Sequence, residues 1–132
     1  MVGEGVALTA VSLTVNTVKA GDVVTVTTEW QVLMPPAGDF TTFIHLGEAG
    51  QPPLATGDSP PLNGRYPTWA WAVGEVIRDA YSLVVPEGLE EGHYPVWLGM
   101  YDPASGVRLP LAVAGEGQPN QAYLVGWVTV IR

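Results

Sequence analysis

The side chains in this sequence that could do chemistry are few and scattered. The chain has two histidines, His45 and His93, and neither is accompanied by a recognisable nucleophile motif. Glu90 and Glu91 are adjacent in a predicted turn, so they cannot face each other across a cleft as the paired carboxylates of a glycoside hydrolase do. We therefore predict no catalytic residues, and we do not expect this chain to be an enzyme.

The acids and the missing cysteines also argue against a metal site. The chain has no cysteine, which excludes zinc-thiolate sites, and it lacks the spaced Asp-x-Asp-x-Asp ligands of a dedicated calcium loop. Asp102, followed by Ser105 and Gly106, is typical of a hairpin turn in which the Asp caps backbone amides. We predict neither a metal nor a cofactor.

A cluster of aromatic residues offers the best candidate for a binding site. In an extended chain, Trp69 and Trp71 project from the same face about 6 to 7 Å apart, and two such rings can stack on sugar rings. Nearby acid and amide groups can accept hydrogen bonds from sugar hydroxyls. One hypothesis is therefore a carbohydrate site formed by Tyr66, Trp69, Trp71, Asp58 and Asn63. The alternative is that Trp71 plugs the edge of the core.

The elements that position these residues are predicted to be strands. Sixteen glycines and twelve prolines interrupt the chain too often for long helices, and the runs between them are rich in Val, Thr, Leu and aromatics. This pattern predicts an all-β protein, an immunoglobulin-like two-sheet antiparallel β-sandwich, with residues 1–132 forming one domain. The predicted strands are Val6 to Val15, Val23 to Leu33, Phe40 to Leu46, Leu54 to Thr56, Glu75 to Val85, His93 to Tyr101, Val107 to Leu109 and Tyr123 to Ile131.

Alternation along two of these strands identifies the residues that face the core. One apolar row contains Val24, Val26, Thr28, Trp30 and Val32, and a second contains Ile77, Asp79, Tyr81, Leu83 and Val85. Because a buried acid must be paired, we predict a stabilising link from Asp79 to His45, to Arg65 or to loop amides. His45 itself lies in an apolar strand and is predicted to be structural. Trp97 alternates away from its apolar neighbours and is expected to be exposed or to face a partner.

The segment Leu89 to Tyr94 carries a more specific pattern. In immunoglobulin-like sandwiches, a Tyr near the start of the next-to-last strand donates its hydroxyl to the backbone a few residues upstream. Tyr94 matches that position, and Gly92 relieves crowding in the turn. The sequence therefore predicts a tyrosine corner at Tyr94, and the alternative is an ordinary buried tyrosine.

The charge of the chain narrows the choice of partners. Thirteen acids against five bases give a net charge of −8, which disfavours nucleic acid and anionic lipid surfaces. No stretch approaches the ~20 apolar residues of a spanning helix, and the first six residues have no signal-peptide character. We therefore expect a soluble fragment that does not insert into membranes, taken from a longer protein.

A series of short motifs resembles a known family. In order they are Phe40-Thr-Thr-Phe-Ile-His-Leu46, Asp58 with Pro60-Pro61, Tyr66-Pro-Thr68, Trp71 before Gly74-Glu75, Asp79-Ala-Tyr81, Gly92-His-Tyr94, and Gly99-Met-Tyr-Asp102 with Arg108-Leu109. Together they resemble the extracytoplasmic β-sandwich attached to bacterial membrane glycosyltransferases of the protein-mannosyltransferase-like superfamily. Where that pattern has Pro before Gly-Glu, this chain has Val73. The resemblance implies a non-catalytic accessory domain on the outer side of the membrane. Its partners would be the membrane part of its own parent protein or a carbohydrate.

Overall fold

The chain is built from short strands. The computed structural model describes residues 6–34, 38–48, 50–109, 111–113, 116–117 and 122–132. Two 3-10 turns, Pro61–Gly64 and Thr68–Ala70, interrupt the strands, and no helix in this part of the chain is long and apolar enough to cross a bilayer. The strands are β1 (Val6–Leu13), β2 (Thr17–Lys19), β3 (Val23–Val32), β4 (Thr41–Leu46), β5 (Ala55–Thr56), β6 (Val76–Val84), β7 (Gly92–Tyr101), β8 (Arg108–Leu109), β9 (Leu111–Val113), β10 (Glu116–Gly117) and β11 (Tyr123–Ile131).

The strands form two sheets. The first has the order β10-β9-β1-β3-β6, and the second has the order β2-β11-β7-β4-β5, with β8 pairing with the end of β7. In the first sheet, β1, β3 and β6 occupy the places of strands A, B and E of an immunoglobulin domain, and in the second, β4, β7 and β11 occupy those of C, F and G. The predicted all-β, immunoglobulin-like sandwich is confirmed.

The core lies between the two sheets and contains the rows that alternation predicts. The inward side chains of β3 are all buried, and those of β6 are buried except for Asp79, which is partly exposed. The facing sheet contributes Ile44 and Leu46 from β4 and Val96, Leu98 and Met100 from β7. The intervening residues of β4 and β7 therefore lie on the solvent side of the second sheet.

Three strands are absent from the sequence-based prediction, namely β2, β9 and β10. Each has two or three residues, which is too short for alternation to show. The pairing of β9 with β1 and of β2 with β11 is parallel, whereas the other pairs are antiparallel. The first strand is also shorter than predicted, since β1 ends at Leu13.

Candidate functional site

The platform predicted from Trp69 and Trp71 does not form. These residues belong to a 3-10 turn and the position after it rather than to an extended strand, so their side chains diverge. Trp69 is 63% exposed, whereas Trp71 is 2% exposed and packs in the core. The indole Nε1 of Trp71 donates a 3.0 Å hydrogen bond to the Tyr66 carbonyl. Trp71 is thus a plug at the end of the sandwich, the alternative that the sequence left open.

The other residues of the predicted sugar site lie in separate parts of the molecule. The Tyr66 hydroxyl donates a 2.5 Å hydrogen bond to Glu75 Oε1, which lowers the pKa of Glu75 and raises that of Tyr66. Asp58 and Asn63 line a hollow of about 450 Å³ beside β6, and the lining of this hollow includes neither tryptophan. The five predicted residues therefore do not make one site.

Asp79 finds its partner in a loop rather than in a histidine. Its Oδ2 accepts a 2.6 Å hydrogen bond from the backbone N–H of Leu62, and its Oδ1 accepts one of 2.7 Å from Ala80. Of the three partners predicted from the sequence, the loop amide is correct. His45 lies beside Asp58 instead, with 3.7 Å between the His45 Nε2 and the Asp58 Oδ1.

Tyr94 has the geometry of a tyrosine corner. Its hydroxyl donates a 2.7 Å hydrogen bond to the carbonyl of Glu90, four residues upstream, and its ring packs against the core. Gly92 adopts φ +155°, and a Cβ there would contact the Tyr94 ring at 3.8 Å. The predicted hydrogen bond to the upstream backbone is therefore present.

The structure brings a different set of residues together on the solvent side of the second sheet. The β4–β7 register places His45 directly opposite Trp97, and Phe43 opposite Gly99. The guanidinium of Arg108 lies over Phe43, with its central carbon 4.4 Å from the ring centroid. The His45 ring flanks the same phenyl at 4.6 Å. We call this group, together with Asp58 and Tyr101, the β4–β7 face.

An open cavity adjoins the β4–β7 face. It has a volume of about 560 Å³ and lies where β4 runs into the Gly47–Pro53 loop. The Trp97 Nε1 donates a 3.0 Å hydrogen bond to the Gly47 carbonyl, which fixes the indole against the cavity. The remaining lining is a mixture of apolar and polar groups that includes Phe43, His45, Glu48, Gln51, Pro53 and Arg108.

The ionisable groups of the face form a connected cluster. Asp58 accepts hydrogen bonds of 3.3 Å from the Ile44 amide and from the Tyr101 hydroxyl. Burial raises the pKa of Tyr101, and Asp58 raises it further. Burial lowers the pKa of His45, with Asp58 opposing that shift and Arg108 adding to it. The lowered pKa of His45 favours its neutral form at pH 7, and the neutral ring makes no ion pair with Asp58.

This arrangement is suited to binding. Among the described residues that line the cavity, Glu48 carries the only carboxylate, so no facing pair of acids is formed there. No cluster of three or more His, Asp or Glu side chains that could hold a metal occurs in the described part of the chain. The cavity offers an indole wall, an imidazole, the Arg108 guanidinium and several other hydrogen-bonding groups.

Part of this face is predictable from the sequence. Alternation placed Trp97 off the core side of its strand, and the Phe40–Leu46 and Arg108-Leu109 motifs include three of its other members. Their assembly depends on the β4–β7 register and on the β7–β8 hairpin, neither of which follows from periodicity.

Comparison with known proteins adds little to this description. No protein-family model matches the chain, and no curated protein matches it. Among the solved structures similar to it is a crystal structure of the CARDB domain of the PF1109 protein from Pyrococcus furiosus, in complex with di-metal ions. The identity is 11%, the alignment covers 99% of this chain and 93% of that one, and the TM-score is 0.43. A likeness this distant has no bearing on the site.

Proposed function

We propose that this chain is a non-catalytic module that binds carbohydrate on the β4–β7 face. The observation that carries the proposal is the open cavity of about 560 Å³ with Trp97 in its wall and hydrogen-bonding side chains around it. This volume lies within the range of about 300–1,000 Å³ that is typical of small-ligand sites. An indole provides a flat apolar surface, and the apolar face of a sugar ring can stack on it.

The described lining of the cavity has one guanidinium, that of Arg108, and one carboxylate, that of Glu48, so its formal charges balance and favour a neutral, hydroxyl-rich ligand. The lowered pKa of His45 favours the neutral imidazole at pH 7, in which one ring nitrogen donates and the other accepts. Gln51 and Glu48 add further hydrogen-bonding groups on the loop side. An anionic polymer is disfavoured by the net charge of −8. Neutral sugars meet these conditions.

A second tryptophan, Trp127, lies outside the cavity lining but on the neighbouring strand. Trp127 on β11 is 49% exposed and lies directly opposite Pro95 on β7, two residues from Trp97. Such diagonal neighbours on adjacent strands are about 7–8 Å apart, a distance at which two aromatic side chains can contact successive sugar rings. We therefore expect oligosaccharides to bind more tightly than monosaccharides.

The wider role that we propose is that of an extracytoplasmic accessory domain of a membrane glycosyltransferase. Its support is the order of motifs from Phe40 to Leu109, which includes Phe43, His45, Asp58 and Arg108 of the β4–β7 face. A module of this kind would hold an acceptor or product glycan while the chemistry occurs in the membrane part. The sequence of the parent gene tests this role, because it should encode a multi-spanning membrane protein whose transferase residues lie outside this domain.

Isothermal titration calorimetry against a panel of neutral mono- and oligosaccharides tests the binding proposal. We expect saturable binding that Trp97→Ala weakens by roughly tenfold or more, because the stacking surface is lost. Gln51 is exposed at the cavity, so Gln51→Ala should weaken binding without affecting folding. Circular dichroism checks that this variant is folded. Trp69→Ala, which removes an exposed indole from another part of the molecule, is the matched control and should bind normally. No binding by the wild type, or equal losses for Trp97→Ala and Trp69→Ala, would disprove the proposal.

A further inference from the structure

One end of the sandwich exposes four large apolar side chains. Leu33, Met34, Trp69 and Val73 are between 43% and 69% exposed. They belong to two segments that meet where β3 ends and β6 begins. We call these four residues the apolar tip.

The two segments of the apolar tip are firmly joined. The Gly74 amide donates a 2.8 Å hydrogen bond to the Val32 carbonyl, and the Val32 amide donates a 2.9 Å hydrogen bond to the backbone carbonyl of Glu75. Farther along, the Thr68 hydroxyl donates to the Gly38 carbonyl at 2.6 Å and accepts from the Phe40 amide at 2.9 Å. The buried Trp71 anchors the second segment in the core. Hydrogen bonds thus hold the described parts of the two segments together.

The apolar tip is also uncharged. Residues 31–40 and 66–76 contain no Lys or Arg, and their only acids are Asp39 and Glu75. The carboxylate of Glu75 is already held by the Tyr66 hydroxyl and by the Ala72 amide at 3.0 Å. The tip therefore offers a protein partner few charges that would specify orientation.

We propose that the apolar tip inserts shallowly into the interface of a lipid bilayer that has neutral headgroups. The surface is too small for a stable protein complex, because four side chains expose on the order of a few hundred Å², whereas a standard interface buries about 800 Å² on each partner. Trp is enriched at the level of lipid headgroups, where its ring contacts acyl chains while its N–H stays hydrated. A second copy would carry the same net charge of −8, so the overall charges of the two molecules oppose self-association.

Neutral headgroups follow from the charge of the molecule. Anionic lipids attract proteins through Lys and Arg near the surface, and the segments of the tip have none. We expected no membrane insertion because the sequence has no spanning segment and its charge repels anionic lipids. Neither reason applies to shallow contact with neutral headgroups. The proposed lipid contact does not depend on the sugar site, which lies on the face of the second sheet.

Flotation with vesicles of pure phosphatidylcholine tests the proposal. We expect the wild type to float with the vesicles, with little change at high salt because the contact is apolar, and to bind less when phosphatidylserine replaces part of the lipid. Trp69→Ala should lower the partition coefficient by roughly tenfold, because the variant loses the free energy gained when the exposed indole moves from water into the bilayer interface. Val73→Asp should abolish flotation.

The matched control is Val84→Asp, which places the same charge on an exposed valine at the other end of β6 and should float as the wild type does. Thermal unfolding checks that each variant is folded. The proposal is overturned if the wild type does not float, if Val84→Asp is as impaired as Val73→Asp, or if light scattering shows a dimer that Trp69→Ala dissociates. The last result would assign the tip to a second copy.

Discussion

The carboxylate of Asp79 holds the backbone amide of Leu62 at 2.6 Å, across the gap between β6 and the connection from β5. Leu62 and Asn63 have φ of 52° and 56°, the left-handed region that residues other than glycine seldom adopt. Such conformations persist where surrounding contacts enforce them. The acid that interrupts an apolar row of β6 is therefore the anchor of a strained turn, and that turn follows the segment that carries Asp58 to the β4–β7 face.

Replacement of Asp79 by Ala should destabilise the protein by about 1–3 kcal/mol, because a partly buried amide loses its acceptor and the left-handed turn loses its support. The free energy of unfolding in urea measures this. Asp79→Asn keeps one carbonyl oxygen as an acceptor and should cost less than Asp79→Ala. A loss below about 0.5 kcal/mol for Asp79→Ala would show that the turn holds its conformation by other means.

Gly57 should tolerate no side chain. A Cβ on this residue would lie 2.2 Å from the carbonyl oxygen of Ser82 and 2.8 Å from its carbonyl carbon, and backbone atoms cannot move aside cheaply. We expect Gly57→Ala to cost about 2 kcal/mol or more in urea unfolding. Gly38→Ala is the matched control, because among the described residues its Cβ would meet only the edge of the Phe40 ring, at 4.0 Å. Equal stability of the two variants would mean that the connection can shift away from β6.

The stability of the protein should fall in mild acid because of His45. Burial lowers the pKa of this histidine below its ordinary value of 6.5 in the folded protein. The unfolded chain therefore binds a proton at His45 at a higher pH than the folded chain does, so the free energy of unfolding is fully retained above about pH 6.5 and decreases as the pH falls below it. Urea unfolding between about pH 7.5 and pH 5 should show a smaller decrease for His45→Gln than for the wild type. Identical pH profiles would contradict this.

The tyrosine corner should make a measurable contribution to stability. Tyr94→Phe keeps the ring in place and removes only the hydroxyl that donates to the Glu90 carbonyl. We expect a loss of about 0.5–1.5 kcal/mol in the free energy of unfolding, the usual contribution of one hydrogen bond. If Tyr94→Phe unfolds at the same urea concentration as the wild type, Tyr94 acts only through its ring, as an ordinary core tyrosine would.

The sequence predicts the fold well because the core rows of β3 and β6 alternate over nine or ten residues. Asp79 stands in its row as predicted, and Tyr94 makes its hydrogen bond as predicted, because both positions follow from local pattern. The short strands β2, β9 and β10 carry no such pattern, and they exist because neighbouring strands offer them partners.

The site is less predictable for a related reason. The spacing of Trp69 and Trp71 places them on one face only if the chain is extended, and the 3-10 turn at Thr68–Ala70 removes that condition. The opposition of His45 and Trp97 depends on a register between strands about fifty residues apart. Local propensity does not encode such a register, and packing of the whole sandwich sets it.

The edges of the two sheets have a consequence for the protein at high concentration. Within the described residues, three of the four edge strands, β10, β2 and β5, have only two or three residues, and the free side of β6 is covered by the connection that passes Gly57. A foreign strand needs a run of unpaired N–H and C=O groups to extend a sheet, and edge strands of two or three residues offer only short runs. Edges of this kind disfavour the growth of the sandwich into cross-β aggregates, although nearly all of its described regular structure is strand.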